Sequence, residues 1–541
     1  MTMAFPVSGM HSRENVRLVT ALLERFGASV SLSQAQTRSP DPEFSVTSAE
    51  VLPALTEFLF SSLGCSFGGL IAEERDDQWE LRYVFLTRRE GLINFVLRLP
   101  LATHAVPSIS TVIHAADWYE REVEDMFGLE FQQHPRLGDF ILHDQVWQEG
   151  LAPMRKRFDA SQTHLQRRPK EDWHPVLVVQ DPGAFAMPVG PVYEGGVGES
   201  VHFLLETVGE DVIRAVPRLF YNYRAVEKIA EGKSVCEALL LAERFSAKSA
   251  FAHSLAFCQA IERISGQEIP ARASTLRIVL AELERLRHHA GAIAAICQST
   301  ALSVSEAQAA IIEEQLLRAS CVFAGHRYLF GLNTPGGLRR DFGADECMAL
   351  LAAVDAASGQ LQKLETRLRY SSSFLDRLED VGIIPPEKAR ELDLFGPLAR
   401  ASALSRDLRQ RNPYCRYEKF DFQVPCEKEG DGFARLRVLF TEAQQSVSLI
   451  RQAVKSLEPG EICYPLREFG QGMAFGLVEA PIGAALHWVR LGSDQKIERY
   501  RIMTPSFRNW LGLHVAVEDF AFQDFPIILA TFGLSATECD R

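Results

Sequence analysis

Few groups of residues in this sequence have the spacing that chemistry requires. Glu284 and His288, like Arg285 and His289, stand four residues apart in a helical stretch. That spacing suits either a metal-binding pair or ordinary pairing on a helix surface, and the second is the expectation. Gly470-Gln471-Gly472 with Gly476 resembles a dinucleotide-binding turn. However, the strand-like residues Phe475, Leu477 and Val478 follow, where a phosphate-cradling helix should begin. In Glu120-Arg121-Glu122-Val123-Glu124-Asp125, Arg121 lies four residues from both Asp117 and Asp125, which reads as a solvated charged helix face. The ten cysteines are scattered and none forms C-x-x-C. This argues against a disulfide framework and against zinc or iron–sulfur sites built from local pairs, leaving single buried thiols. H-E-x-x-H, the phosphate-binding G-x-x-x-x-G-K-[ST] and the G-x-S-x-G elbow are all missing.

The elements that position these residues fall into two regions. A length of 541 residues suggests two to four domains at about 150 each. With 47% hydrophobic and 23% charged residues, the chain reads as globular. Its net charge of −13 disfavours a nucleic-acid partner. The longest apolar run, 525–536, is short of the roughly 20 residues a membrane-spanning helix needs. The segment after Met1 lacks the basic-then-apolar pattern of a secretory signal.

Residues 1–160 read as an α/β domain. Apolar spacing predicts a helix over 15–26, and alternation predicts strands around Trp79–Phe85 and Ile93–Leu99, each with one buried face. A helix over 115–127 should stop at Gly128. Residues 161–182 are assigned as a linker on the strength of the polar stretch 159–173, and a short strand is expected over 176–179. A glycine-rich turn follows at 190–198, and long helical patterns dominate from about Gly209. The clearest of these covers 271–297, with Leu276, Val279, Leu280, Leu283, Leu286, Ile293 and Ile296 on one stripe. The second domain is set at 183–541, giving an α+β fold class.

Two longer strings resemble known families. Glu120 to Gly128, His134-Pro135 and Pro153-Met154-Arg155-Lys156 resemble the signature of the C-type peripheral-arm protein of complex I, except that Gly138-Asp139 stands where that family has a basic pair. Arg218 to Lys228, Glu243-Arg244-Phe245-Ser246-Ala247-Lys248-Ser249, Ile269-Pro270-Ala271-Arg272, Val478-Glu479-Ala480-Pro481, Thr504-Pro505-Ser506 and Glu538-Cys539-Asp540-Arg541 form the second string. These are similar to the [NiFe]-hydrogenase large subunit and to its relative in complex I, the D-type protein. A C-like α/β domain fused ahead of a mainly helical D-like one resembles the large subunit of group 4, formate hydrogenlyase or hydrogenase-4 type enzymes. The likeness is greatest to energy-converting hydrogenase-related proteins that lack the metal cysteines.

The resemblance implies a site and also its loss. The family holds nickel and iron on two C-x-x-C pairs, and the corresponding positions here are Ser246, Ser249, Ser535 and Glu538. Neutral hydroxyls are poor ligands for metals held by soft thiolates, so a [NiFe] centre is expected to be absent. The family's proline-arginine-glycine-glutamate segment reads Pro481-Ile482-Gly483-Ala484, and the quinone-binding tyrosine of complex I corresponds to Ala247. Glu227 matches a proton-passing glutamate, although the glycine before it has become Ala225. Glu227, Arg244 and His253 are the candidate proton-relay or cavity residues, and Tyr193, Glu479 and Glu538 the candidate cofactor-binding ones. The alternative is that these groups satisfy one another in a polar core.

The resemblance further implies a component of a membrane-associated oxidoreductase complex on the cytoplasmic side of the inner membrane. Its expected partners are an iron–sulfur small subunit, a membrane anchor and antiporter-like subunits. The iron–sulfur cluster would sit in the partner, a quinone is possible, and no cofactor is expected directly on this chain. An NADH–quinone oxidoreductase component with a diverged quinone pocket, or a non-catalytic scaffold, is the alternative.

Overall fold

A computed structural model describes residues 13–33, 41–88, 91–143, 147, 150–161, 177–179, 181–191 and 199–541. The chain divides into two compact units, one comprising residues 1–174 with 472–474, and the other the remainder.

In the first unit five strands pair in the order Val30–Leu32, Glu43–Val46, Leu92–Pro100, Gln78–Leu86 and Ser66–Arg75. Glu43–Val46 runs parallel to Leu92–Pro100, and the other pairings are antiparallel. The expected helices are present as Arg13–Phe26 and Asp117–Phe127, and Gly128 caps the latter in the left-handed conformation. The expected strands are present too, but both of their faces are buried along most of their length. Alternation misled here because the polar positions also point inward. Arg82 sits among Glu43 at 2.7 Å and Glu80 at 2.5 Å, so its charge is compensated without water.

The second unit opens with an antiparallel sheet of Ala184–Val189, His202–Val208 and Asp211–Arg218, edged by Phe520–Ala521. The helical pattern expected from Gly209 is therefore corrected: Gly209 turns a hairpin, and helices begin at Val226. The strand expected over 176–179 is not formed by residues 177–179, whose Val178 and Val179 N–H groups cap the Glu206 carboxylate. Residue 176, most of the linker and residues 192–198 lie outside the described residues.

Helices Ala250–Ser265, Ala271–Ser299, Ser303–Ala324, Ala344–Arg369 and Gly432–Lys455 enclose the main core. Ala271–Ser299 is its axis and is buried nearly all round, so the one apolar stripe understates it. A three-stranded sheet follows (Gly472–Ala480, Gly483–Leu491, Ile497–Met503), and short helices including Pro505–Asn509, Phe525–Phe532 and Ala536–Cys539 close the unit. The glycines at 470–476 thus belong to a strand entrance, as the residues after them imply. Gly476 has no side chain because a Cβ there would collide with the Ala256 carbonyl of helix Ala250–Ser265. No helix among the described residues is long and apolar enough to cross a membrane.

Candidate functional site

Two segments meet at Ser246, Ser249, Ser535 and Glu538, the positions the resemblance singles out. The first is the turn between helix Val235–Arg244 and helix Ala250–Ser265, which carries Ser246 and Ser249. Both serines are buried, and neither hydroxyl has a hydrogen-bond partner among the described residues. The second is Ser535 with helix Ala536–Cys539. Ser535 Oγ accepts the Glu538 N–H at 3.1 Å as a helix cap and also donates to Glu199 Oε1 at 2.8 Å. Lys248 Nζ, donating to the Leu534 carbonyl at 3.1 Å, ties the two segments.

Glu538 and His253 form the centre of this arrangement. Both are fully buried, with His253 Nε2 3.0 Å from Glu538 Oε1. The other carboxylate oxygen, Glu538 Oε2, accepts the Ser506 N–H at 3.2 Å. His253 Nδ1 lies 2.9 Å from His487 Nε2, and His487 Nδ1 lies 2.7 Å from the Tyr500 hydroxyl. Burial pushes the Glu538 carboxyl up, but the hydrogen bond and charge of His253 and the Ser506 contacts outweigh it and hold it below its ordinary value. Burial, then His253 and Arg541, drive His487 well below the ordinary histidine value, and burial with Glu227 keeps the Tyr500 proton on.

Tyr500 keeps its proton, His487 is neutral and the Glu538 carboxylate accepts from His253 Nε2. Together the four groups form one continuous hydrogen-bonded ladder, the arrangement along which a proton can hop. Sequence reasoning missed His487 and Tyr500. They sit on adjacent strands of the three-stranded sheet, and only that pairing brings them together.

Glu227 lies at the start of helix Val226–Ala230 and is buried. It accepts Arg501 Nη1 and Arg541 Nε, each at 3.0 Å, and the Ile502 N–H at 2.7 Å. Ala225 keeps a left-handed backbone with φ of 54°, the conformation that a glycine there would adopt without strain. Arg244 is not brought into this group: its side chain is 55% exposed, with Nε 3.7 Å from Glu243 Oε2 and the guanidinium 5.7 Å above the Phe330 ring. Tyr193 lies outside the described residues.

Glu479 belongs to a second buried group. Its carboxylate accepts Arg400 Nη1 at 2.9 Å and the Leu408 N–H at 3.1 Å. The surface pairing expected for helix residues 284–289 is corrected, because Glu284, Arg285, His288 and His289 are all buried. Glu284 accepts the N–H groups of Phe251 and Ala252 at 2.7 and 3.0 Å, and burial raises its pKa to about 7. His289 Nε2 meets Glu442 Oε2 at 2.9 Å. No group of three or more His, Cys, Asp or Glu side chains among the described residues is arranged to hold a metal.

The solvated charged face expected for helix Asp117–Phe127 is likewise corrected. Arg121 lies over the Phe140 ring at 4.3 Å and donates to the Gly138 and Asp139 carbonyls at 3.1 and 3.3 Å. Asp125 accepts the Ile141 and Leu142 N–H groups at 2.7 and 3.0 Å. The helix thereby clamps the loop in which Gly138-Asp139 replaces the basic pair.

A sheet domain with a clamping acidic helix is thus followed by a mainly helical domain with a buried polar site. Residues 44–164 match the 30 Kd subunit family of respiratory-chain NADH dehydrogenase, and residues 309–470 match its 49 Kd subunit family. The chain joins a domain of each kind in that order. It is 28% identical over 498 residues to formate hydrogenlyase subunit 5 of Escherichia coli, covering 91% of this chain and 87% of the relative. It is 29% identical over 443 residues to hydrogenase-4 component G of the same organism, covering 80% and 76%. The NADH-quinone oxidoreductase C/D fusion protein of Acinetobacter baumannii is 26% identical over 489 residues, covering 82% and 80%. The 49 Kd match contains Arg400, Asp407, Arg409 and Glu442, whereas Ser246, Ser249, Ser535 and Glu538 lie outside it.

Proposed function

We propose that this chain is the hydrogenase-like large subunit of a complex-I-like, membrane-associated oxidoreductase assembly, and that its nickel–iron position has become a protein proton site. The observation that carries the reading is the commitment of Glu538. Its two oxygens are taken by His253 and the Ser506 N–H, and Ser535 is taken by Glu199 and the Glu538 N–H. Ser246 and Ser249 add only neutral hydroxyls. Hard donors, two of them already engaged within the protein, do not suit a nickel–iron centre.

What the site's own residues supply is a continuous hydrogen-bonded ladder from Tyr500 to Glu538, able to pass a proton while redox chemistry proceeds elsewhere in the assembly. Electrons would come from an iron–sulfur cluster in a small-subunit partner. Membrane-anchor and antiporter-like subunits would hold the chain peripherally on the cytoplasmic side of the inner membrane. A quinone is the acceptor to try first, since relatives named as NADH-quinone oxidoreductase components align over most of this chain.

Isolation of the native complex, followed by subunit identification and metal analysis, tests the reading. Iron without stoichiometric nickel is expected, and stoichiometric nickel on this chain overturns it. His253→Gln should abolish turnover of an assembled complex; unchanged turnover would instead mark the chain as a scaffold.

A further inference from the structure

Four carboxyls (Glu282, Asp407, Glu442, Glu479) and three guanidiniums (Arg285, Arg400, Arg409) share one fully buried region of the second unit. With every carboxyl ionised and His289 neutral, the fully buried group carries one negative charge in excess. Such a charge is expensive, and uptake of a proton removes it.

The contacts decide which group takes the proton. Glu282 is amply compensated: Arg409 Nη1 reaches its two oxygens at 3.0 and 3.1 Å, Arg285 lies at 3.3 Å, and the Tyr417 and Ser446 hydroxyls donate at 2.6 and 2.7 Å. Glu442 has Arg400 Nε at 2.5 Å and His289 at 2.9 Å. Asp407 and Glu479, by contrast, face the same nitrogen. Arg400 Nη1 is 2.9 Å from Glu479 Oε1 and 3.6 Å from Asp407 Oδ2. Asp407 has Arg409 as well, at 2.6 Å, while Glu479 adds the Leu408 N–H and the charge of Arg285; Tyr414 contacts the Glu479 backbone N–H. Two carboxyls at one guanidinium nitrogen repel, and a single proton relieves the pair.

We propose that Asp407 and Glu479 share one buried proton, held on Glu479, and that this pair is a proton-loading site whose occupancy is tied through Arg400 and Glu442 to the charge on His289. Acid strengths run the same way: burial and Asp407 push Glu479 up, whereas Arg409 and Arg400 outweigh burial and hold Asp407 down. The far end of the group reaches the Ser246–Ser249 turn. His289 Nδ1 lies 3.4 Å from His288 Nδ1, and the adjacent Arg287 donates to the Ala247 and Lys248 carbonyls at 3.4 and 2.8 Å. A charge arriving at that turn is therefore compensated by a proton moving on or off Glu479. This inference does not depend on whether metal has been lost.

The test is infrared difference spectroscopy of the full chain in its native complex at neutral pH. Wild type is compared with Glu479→Gln and, separately, with Asp407→Asn, each shown to assemble. Either substitution removes the excess charge, so each difference spectrum should contain the carbonyl band of one protonated carboxylic acid, shifted in deuterium oxide. No such band in either assembled variant overturns the proposal. A band lost with Glu479→Gln but kept with Asp407→Asn overturns the sharing, since Glu479 would then be protonated without its neighbour. The two variants perturb different elements, so failure of one to assemble leaves the other decisive.

Discussion

His253 Nε2 and Glu538 Oε1 meet at 3.0 Å in an interior that excludes water, joining helix Ala250–Ser265 to helix Ala536–Cys539 across 285 residues of sequence. An ionised carboxylate is retained there because the imidazole N–H and a backbone N–H replace its hydration.

That pair sets a pH dependence. The folded pKa of Glu538 lies below the ordinary glutamate value of 4.5, so its contribution is fully present above that value. It is lost as pH falls through the folded pKa. Glu538→Gln should therefore destabilise the protein at neutral pH by about 1–3 kcal/mol, as for a buried group losing its best partner. The difference from wild type should shrink in acid, as denaturant titrations across pH would check.

Arg541 and Arg244 should differ sharply in what their removal costs. Arg541 is buried against Glu227, and Arg541→Met leaves that carboxylate with Arg501 and one N–H. The loss should fall toward the lower end of the roughly 3–5 kcal/mol typical of a broken buried pair. Arg244→Ala removes a half-exposed guanidinium and should cost less than about 1 kcal/mol. Thermal melts of both variants would separate them, and equal losses would contradict the placement of Arg244.

Ala225 offers a gain. A Cβ in the left-handed region costs about 1–2 kcal/mol, and glycine removes that strain while adding unfolded-state entropy. Ala225→Gly should leave the protein more stable by several tenths of a kcal/mol, read as a rise in denaturation midpoint without a change in slope.

In the first unit Glu120 is buried, accepting the Ser108 hydroxyl at 2.5 Å and the Ile109 N–H at 2.7 Å, with His134 and Asp117 nearby. Burial raises its pKa to about 7 from the ordinary 4.5. The folded state thus holds a proton that the unfolded state has released, so stability falls as pH rises through this window and levels off above it. Glu120→Gln should flatten that decline, a difference measurable by denaturant unfolding at stepped pH.

Much of this was legible in the sequence because it depends on local order. Helix Asp117–Phe127 with its Gly128 cap, helix Ala271–Ser299, and the strand after Gly472 all follow from side-chain period and turn chemistry. The lack of thiolates at 246, 249, 535 and 538 is a matter of residue type alone. Burial was not legible wherever charges compensate one another. Arg82, Glu284, Arg285 and His289 have the spacing of surface residues, and only their partners on other elements make an interior position tolerable.

The sequence by itself determined the two-part organisation and the absence of cysteine at 246, 249, 535 and 538, since both rest on residue types and their neighbours. The tertiary structure alone decided what surrounds those four positions. The Tyr500–His487–His253–Glu538 ladder draws on a hairpin, a helix and the last residues of the chain. Likewise Asp407 and Glu479 become a pair only because Arg400 stands between them. Hydrogen-bond direction and proton occupancy are properties of distance and shared burial, which residues far apart in the chain acquire only on folding.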